Sequence, residues 1–136
     1  MKTFLIVAAL AIPVPCQMLS VEPVCLTICT AAGADNTGPM PVANYVSFCG
    51  SPMTDIGIMA VSLGSMPCAP LVGGMLVDPS QLVFLAPMQV NGTTHTFSMA
   101  VPQSLAPVVW TQQAFYFSAW SGAVWTLPEA WRFTLQ

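Results

Sequence analysis

Apolar and polar side chains alternate along several short stretches of this chain. In residues 93–101 one face carries Phe97, Met99 and Val101, whereas the other carries mainly threonine and serine. A period of two residues is typical of a β-strand with one buried and one solvent-facing side. Asn91-Gly92 precedes this stretch, and Asn-Gly between two strands predicts a tight β-hairpin.

Thirteen prolines are spread through the 136 residues, from Pro13 to Pro128. Because proline breaks helix interiors and is tolerated at strand ends and turns, this spread indicates short strands. The sequence predicts an all-β protein, an antiparallel β-sandwich or jelly-roll-like fold, with a single domain at residues 17–136. The predicted strands are residues 18–30 with a break at Pro23, 42–49, 56–63, 71–77 with a bulge at Gly73-Gly74, 81–86, 88–90, 93–101, 109–119, 124–127 and 131–135, and the clearest loop is residues 31–41.

Residues 1–16 form a separate apolar segment, with Lys2 near its start and Pro13 and Pro15 near its end. This order is typical of a secretory signal peptide. If the segment is retained, it is expected to form a strand that is apolar on both faces. Such a strand is buried either in its own sandwich or, by donation, in a neighbouring subunit. The side chains that would form this assembly strand are Phe4, Leu5, Ile6, Val7, Leu10 and Ile12.

Charged residues make up only 5% of the chain, where globular domains average roughly 25%. No positive side chain lies between Lys2 and Arg132, so nucleic-acid binding is excluded, because nothing could neutralise a row of phosphates. No apolar run reaches the length of about 20 residues that a transmembrane helix needs. So much apolar sequence predicts burial against further copies of the chain or a coat of glycans.

The five cysteines favour disulfides, and hence an oxidising compartment, over a metal site. Cys25 and Cys29 lie on one predicted strand, about 13 Å apart, which is too far for a bond between them. Each should therefore pair with a distant partner, chosen from Cys49, Cys68 or Cys16. With a single histidine and no Cys-x-x-Cys motif, we expect neither a metal nor another cofactor.

The second half of the chain resembles a β-sandwich module of large secreted proteins from planctomycete-type bacteria. The resemblance rests on Leu-Val-Asp-Pro at 76–79, Phe-Ser-Met-Ala-Val-Pro at 97–102, Gln-Ala at 113–114 and the alternating end at 131–135. It covers about residues 60–136, although the glycine usually found before Gln-Ala is replaced by Val108-Val109. The resemblance implies secretion and a β-sandwich, and it implies no known catalysis.

Candidate catalytic groups are few. His95 has neither a nucleophile nor an orienting carboxylate near it in sequence, so we interpret it as a strand-end residue. Asp55 and Asp78 could form a carboxylate pair, but Asp78-Pro79-Ser80 is a turn signature. Asp35-Asn36 alone is inadequate for calcium. We therefore expect that the protein is not an enzyme.

Two candidate interaction sites remain. Asn91-Gly92-Thr93 fits the N-glycosylation triplet and coincides with the predicted hairpin tip. Trp110, Gln112, Tyr116 and Trp120 share one face of a predicted strand. They form either a sugar-stacking surface or a face packed in the core or a subunit interface.

Two functions fit these patterns. The first is a non-enzymatic extracellular or cell-surface structural protein, a fibril or surface-layer subunit that self-assembles by β-strand complementation and has itself as its main partner. The alternative is a monomeric secreted carbohydrate-binding or adhesion module with a cleaved signal peptide. The two differ in the fate of residues 1–16.

Overall fold

The fold is described by a computed structural model that covers residues 18–49 and 55–136. The predicted assembly strand at residues 4–12 lies outside the described residues. Within them the chain forms ten strands and three short 3-10 turns. The strands are β1 (Leu19–Pro23), β2 (Thr30–Asp35), β3 (Val42–Ser47), β4 (Asp55–Leu63), β5 (Leu82–Pro87), β6 (Gln89–Asn91), β7 (Thr94–Ala100), β8 (Val108–Ser118), β9 (Val124–Thr126) and β10 (Trp131–Leu135).

The strands form two antiparallel sheets, which confirms the predicted all-β sandwich. The first sheet has the order β1-β10-β8-β4-β5. The short β9 pairs with the C-terminal part of β8. The second sheet has the order β2-β3-β7-β6. β5 belongs to the first sheet and β6 to the second, so the chain crosses between the sheets at Met88.

The core lies between the sheets and follows the alternation of the strands. The core cluster includes Ala43 and Tyr45 of β3 and Met59 and Val61 of β4. The first sheet supplies the larger rings: Trp110 of β8 stacks on Phe133 of β10, with ring centroids 5.4 Å apart. The inward faces of both sheets thus contribute apolar side chains to one interior.

The predicted hairpin is confirmed, but its two turn residues are Gly92 and Thr93, one position later than predicted. β6 pairs with β7 in the register Asn91 to Thr94, which leaves a two-residue turn. Gly92 occupies that turn with a φ of 61°. This left-handed backbone region is readily adopted by glycine and costs most other residues energy, which explains why the dipeptide marks the turn.

Three sequence predictions need correction. Residues 24–29 were expected to continue a strand, but they form an irregular segment held by cross-links. Residues 31–35 belong to the predicted loop at 31–41, yet they lie in β2, because pairing with β3 satisfies their backbone and small side chains fit beside Tyr45. Residues 71–77 contain a 3-10 turn instead of a strand, with Gly73 and Gly74 both at positive φ.

Candidate assembly site

On the side of the sandwich formed by β1 and β2, one side chain covers the outer edge of β1 at Leu19. Oδ1 of Asn36 accepts a hydrogen bond from the backbone N–H of Leu19 at 2.8 Å, and Nδ2 of Asn36 donates to the Leu19 carbonyl at 3.0 Å. The amide thus takes the place that a neighbouring strand would occupy on the outer edge of β1. Such occupation of an edge strand limits its pairing with another chain.

The opposite side of the sandwich is open. β6 pairs with β7 only from Thr94 to Thr96, whereas β7 continues to Ala100. Backbone groups in an antiparallel ladder point alternately to the two neighbouring strands. Phe97 and Met99 direct their backbone N–H and C=O groups to β3. Ser98 and Ala100 therefore direct their backbone groups to the open side. In the described part of the chain, no strand pairs with this edge of Ser98 and Ala100.

The first sheet also ends in an open edge here. The N–H of Met88 donates to the Gly57 carbonyl, and the pairing of Ala86 with Met59 continues this ladder. Leu85 therefore directs its backbone groups away from β4, and its side chain is 59% exposed. Edges of two different sheets consequently flank the same side of the sandwich.

An apolar cleft of about 120 Å³ lies between these two edges. Phe84 of β5 and Phe97 of β7 approach each other across the gap between the sheets, with ring centroids 6.5 Å apart. All of the described residues that line the cleft are apolar, and they include Val61, Phe84, Met99, Val101, Val108 and Trp110. The cleft therefore offers shape and apolar surface, but no ligand-orienting charge.

The outer face of the first sheet divides into a polar and an apolar half. Near β1 it carries an ion pair between Arg132 and Glu22, with N and O 3.4 Å apart. Towards β4, β8 and β9 it is apolar, and Ile56, Phe117 and Val124 lie side by side in register and are exposed. A shallow depression of about 260 Å³ continues this surface towards β5. Contiguous exposed apolar surface of this kind is typical of protein interaction sites.

Two disulfides hold the irregular segments beside the sheets. Cys25 is bonded to Cys68 and Cys29 to Cys49. The prediction that Cys25 and Cys29 each have a distant partner is therefore confirmed. Disulfides and a fold of this type are compatible with a secreted protein.

A buried carboxylate holds the segment before β2. Glu129 accepts hydrogen bonds from the backbone N–H of Ile28 at 2.5 Å and of Cys29 at 2.9 Å, and from the Thr30 hydroxyl at 3.3 Å. The Thr30 oxygen in turn accepts from Nε1 of Trp131 at 3.0 Å. Charge-assisted bonds to backbone N–H groups are among the strong ones in proteins. No local sequence signal marks Glu129, because its partners lie about 100 residues away.

Buried Gln113 has a comparable role in the loop that precedes β5. It accepts a hydrogen bond from the N–H of Leu76 at 2.7 Å and donates to the carbonyls of Gly74 and Leu127 at 2.9 and 2.8 Å. Its neighbour Gln112 is also buried, facing the core. Gln113 is the first residue of the Gln-Ala dipeptide on which the resemblance partly rests. Its hydrogen bonds hold this loop in place.

Two further carboxylates, Asp35 and Asp78, belong to turns. The Asp35 carboxylate accepts from the hydroxyl and the backbone N–H of Thr37, and these bonds lower its pKa. Asp78 does the same with Ser80, which lowers the pKa of Asp78. Asp78-Pro79-Ser80 is therefore the turn that the sequence predicted.

The polar residues of the interior form a small cluster around His95. Its ring packs edge-on against Tyr116 at a centroid distance of 5.3 Å, and the Tyr116 hydroxyl is hydrogen-bonded to Ser47. His95 and Ser47 are fully buried, so a substrate could not reach them. Among residues 18–49 and 55–136, no three His, Cys, Asp or Glu side chains are grouped in a way that could hold a metal ion.

The predicted aromatic surface needs correction. Trp110, Gln112 and Tyr116 all point into the sandwich and are at most 3% exposed. Trp120 lies beyond the end of β8 and is 83% exposed, so it does not belong to the same surface. The three inward side chains are core residues, because alternation directs one face of β8 to the interior. The sequence pattern does not show which of the two faces this is.

The predicted glycosylation site lies on the surface. Asn91 is exposed at the end of β6, next to the hairpin turn, so the structure leaves room for a glycan there. In the part of the chain that the structure describes, no helix is long and apolar enough to cross a membrane.

Comparisons with known proteins add no identification. No protein family, curated protein or solved structure matches this chain. The resemblance to the planctomycete-type module stays a prediction.

Proposed function

We propose that the protein is a non-enzymatic extracellular structural subunit that self-assembles into a fibre or surface layer by β-strand complementation. The observation that carries this proposal is the edge of β7 at Ser98 and Ala100, which no described strand pairs with and which lies above an apolar cleft. At Leu19, in contrast, Asn36 covers the edge of β1. An exposed edge with apolar surroundings favours pairing with another strand.

Two further features support self-association. The apolar half of the outer face, with Ile56, Phe117 and Val124, offers a second surface for contact between copies. Residues 4–12 supply a wholly apolar segment of strand length. In contrast, the aromatic residues that favoured a carbohydrate-binding module are mostly buried, so we do not propose that function.

The test compares the full chain with a variant that lacks residues 1–16. Both are purified without denaturant, their N-termini are verified by mass spectrometry, and their assembly is measured by electron microscopy and light scattering. We expect regular polymers from the full chain and a soluble monomer from the deletion. Because the deletion also removes Cys16, Cys16→Ser in the full chain is the control, and it should still assemble. A full chain that stays monomeric with its N-terminus intact, or polymers that persist after the deletion, would contradict the proposal.

A further inference from the structure

The open edge of β7 and the cleft beneath it together form a site for one extended strand. We infer that this site is the acceptor for residues 4–12 of a second copy of the chain. The inference rests on the proposed self-assembly and names its joint.

The backbone of the acceptor offers pairing on one side only. Ser98 and Ala100 present N–H and C=O groups to the position that a longer β6 would occupy. A strand placed there would extend the second sheet in line with β6. Its hydrogen bonds would satisfy both residues without displacing any strand of the described fold.

The cleft favours an apolar occupant. Its lining residues, such as Phe84, Met99 and Leu105, carry no charge. In a strand, alternate side chains of the donor would point into the cleft. In residues 4–12 the even positions carry Phe4, Ile6, Ala8, Leu10 and Ile12, and the odd positions carry Leu5, Val7, Ala9 and Ala11. The even face is bulkier, so we assign it to the cleft.

The length of the connecting chain favours a second copy over the same chain. Four strand spacings separate β1 from β5 in the first sheet, a distance of about 19 Å. From Ile12 to Leu19 the chain spans at most about 25 Å when fully extended, and Pro13 and Pro15 restrict how it can turn. Occupation of the chain's own cleft would leave little length for passing around the end of the sandwich. A neighbouring subunit imposes no such limit.

The first experiment blocks donor and acceptor separately. Val83 and Leu105 line the cleft but are more than half exposed, so Val83→Asp/Leu105→Asp should fold and yet exclude an apolar strand. Leu26→Asp/Ile28→Asp is the matched control, because both side chains are 82% exposed and neither lines the cleft. We expect the cleft variant to raise the protein concentration needed for assembly at least about a hundredfold, since an unpaired carboxylate is costly to bury. The control should assemble as the unmodified chain does.

The second experiment mixes two chains that are each unable to polymerise. The deletion of residues 1–16 keeps the cleft, and the cleft variant keeps the donor. A 1:1 mixture should therefore give a heterodimer and nothing larger by light scattering. A cleft variant that assembles normally, or a mixture that stays monomeric while the unmodified chain polymerises, would overturn the inference and leave self-assembly itself intact. An unmodified chain that never polymerises would instead contradict the proposed function.

The third experiment tests the alternation within the donor. Ile6→Asp/Leu10→Asp places charges on the face assigned to the cleft and should abolish assembly. Val7→Asp/Ala9→Asp places the same charges on the opposite face and should retain it. Equal loss in both variants would contradict the assignment of the even face.

Discussion

The side chain of Asn36 pairs with the backbone of Leu19 through two hydrogen bonds, from N–H to Oδ1 and from Nδ2 to the carbonyl. It thereby acts as a one-residue substitute for a strand at the edge of β1. No comparable side chain covers Ser98 and Ala100 within the described residues. The outer edge of β1 is therefore covered at Leu19, whereas the edge of β7 at Ser98 and Ala100 lies open above the apolar cleft.

Removal of the Asn36 amide should weaken this closure. Asn36→Ala leaves the N–H and C=O of Leu19 without this partner, and we expect a loss of about 1–2 kcal/mol in the free energy of unfolding. The measurement is urea unfolding of the variant that lacks residues 1–16. Asn44→Ala, which removes a single surface hydrogen bond to Ser98, is the control and should cost less. Equal losses in the two variants would show that the pairing with Leu19 has no special weight.

The Glu129 carboxylate should matter more than any surface charge. Glu129→Gln replaces one accepting oxygen by an NH₂ group that faces backbone N–H donors, so we expect a loss of about 2–4 kcal/mol. Glu22→Gln changes the same groups in an exposed ion pair with Arg132 and should stay within about 0.5 kcal/mol. Denaturant unfolding of both variants checks this. Similar losses would mean that the bonds to Ile28 and Cys29 contribute little.

Gly57 should tolerate no side chain. A Cβ at this position would lie 2.8 Å from Cδ2 of His95 and 3.2 Å from Cβ of Met88. We expect Gly57→Ala to lower the free energy of unfolding by about 1–3 kcal/mol, because the core must shift. Gly33→Ala is the matched control on β2, where a Cβ would meet nothing within 4 Å. It should be nearly neutral by thermal unfolding, and an equal loss there would contradict the steric explanation.

The two disulfides should differ in their contribution. Their sequence separations are 43 residues for Cys25–Cys68 and 20 for Cys29–Cys49. Loop-closure entropy predicts a loss of about 4 kcal/mol for the longer loop and about 3 kcal/mol for the shorter one when both cysteines become serine. Thermal unfolding of the two double-serine variants measures the order. A larger loss for Cys29→Ser/Cys49→Ser would show that local contacts outweigh loop length.

Stability should fall at alkaline pH because of Tyr45. Burial raises the pKa of its hydroxyl well above the ordinary value, which is about 10 in an unfolded chain. The folded state therefore keeps the proton that the unfolded state loses. The resulting stability is fully present below about pH 10 and is lost as the pH rises further. Absorbance of tyrosinate in Tyr116→Phe, which leaves Tyr45 as the only tyrosine, should appear only with unfolding. Ionisation near pH 10 in the folded protein would contradict this.

Much of the fold could be predicted from local pattern. The hairpin at Asn91-Gly92, the turn at Asp78-Pro79-Ser80 and the final strand at 131–135 follow from turn chemistry and alternation, which act over a few residues. The distant pairing of Cys25 and Cys29 is as predicted, although the extended strand from which it was argued is absent at residues 24–29. The distribution of prolines correctly indicated short strands.

The remaining features depend on partners far away in the chain. β2 is a strand only because β3 pairs with it, and residues 24–29 leave the sheet because Glu129, about 100 residues later, binds their backbone. The inward face of β8 is decided by the sheet that packs on it, so Trp110 and Tyr116 could not be assigned to core or surface beforehand. The sequence by itself determined the strand content, the turns and the apolar N-terminal segment, because these depend on neighbouring residues. Only the tertiary structure decided which strand edges are covered and which lie open beside an apolar cleft, because edges and clefts exist only after distant strands have paired.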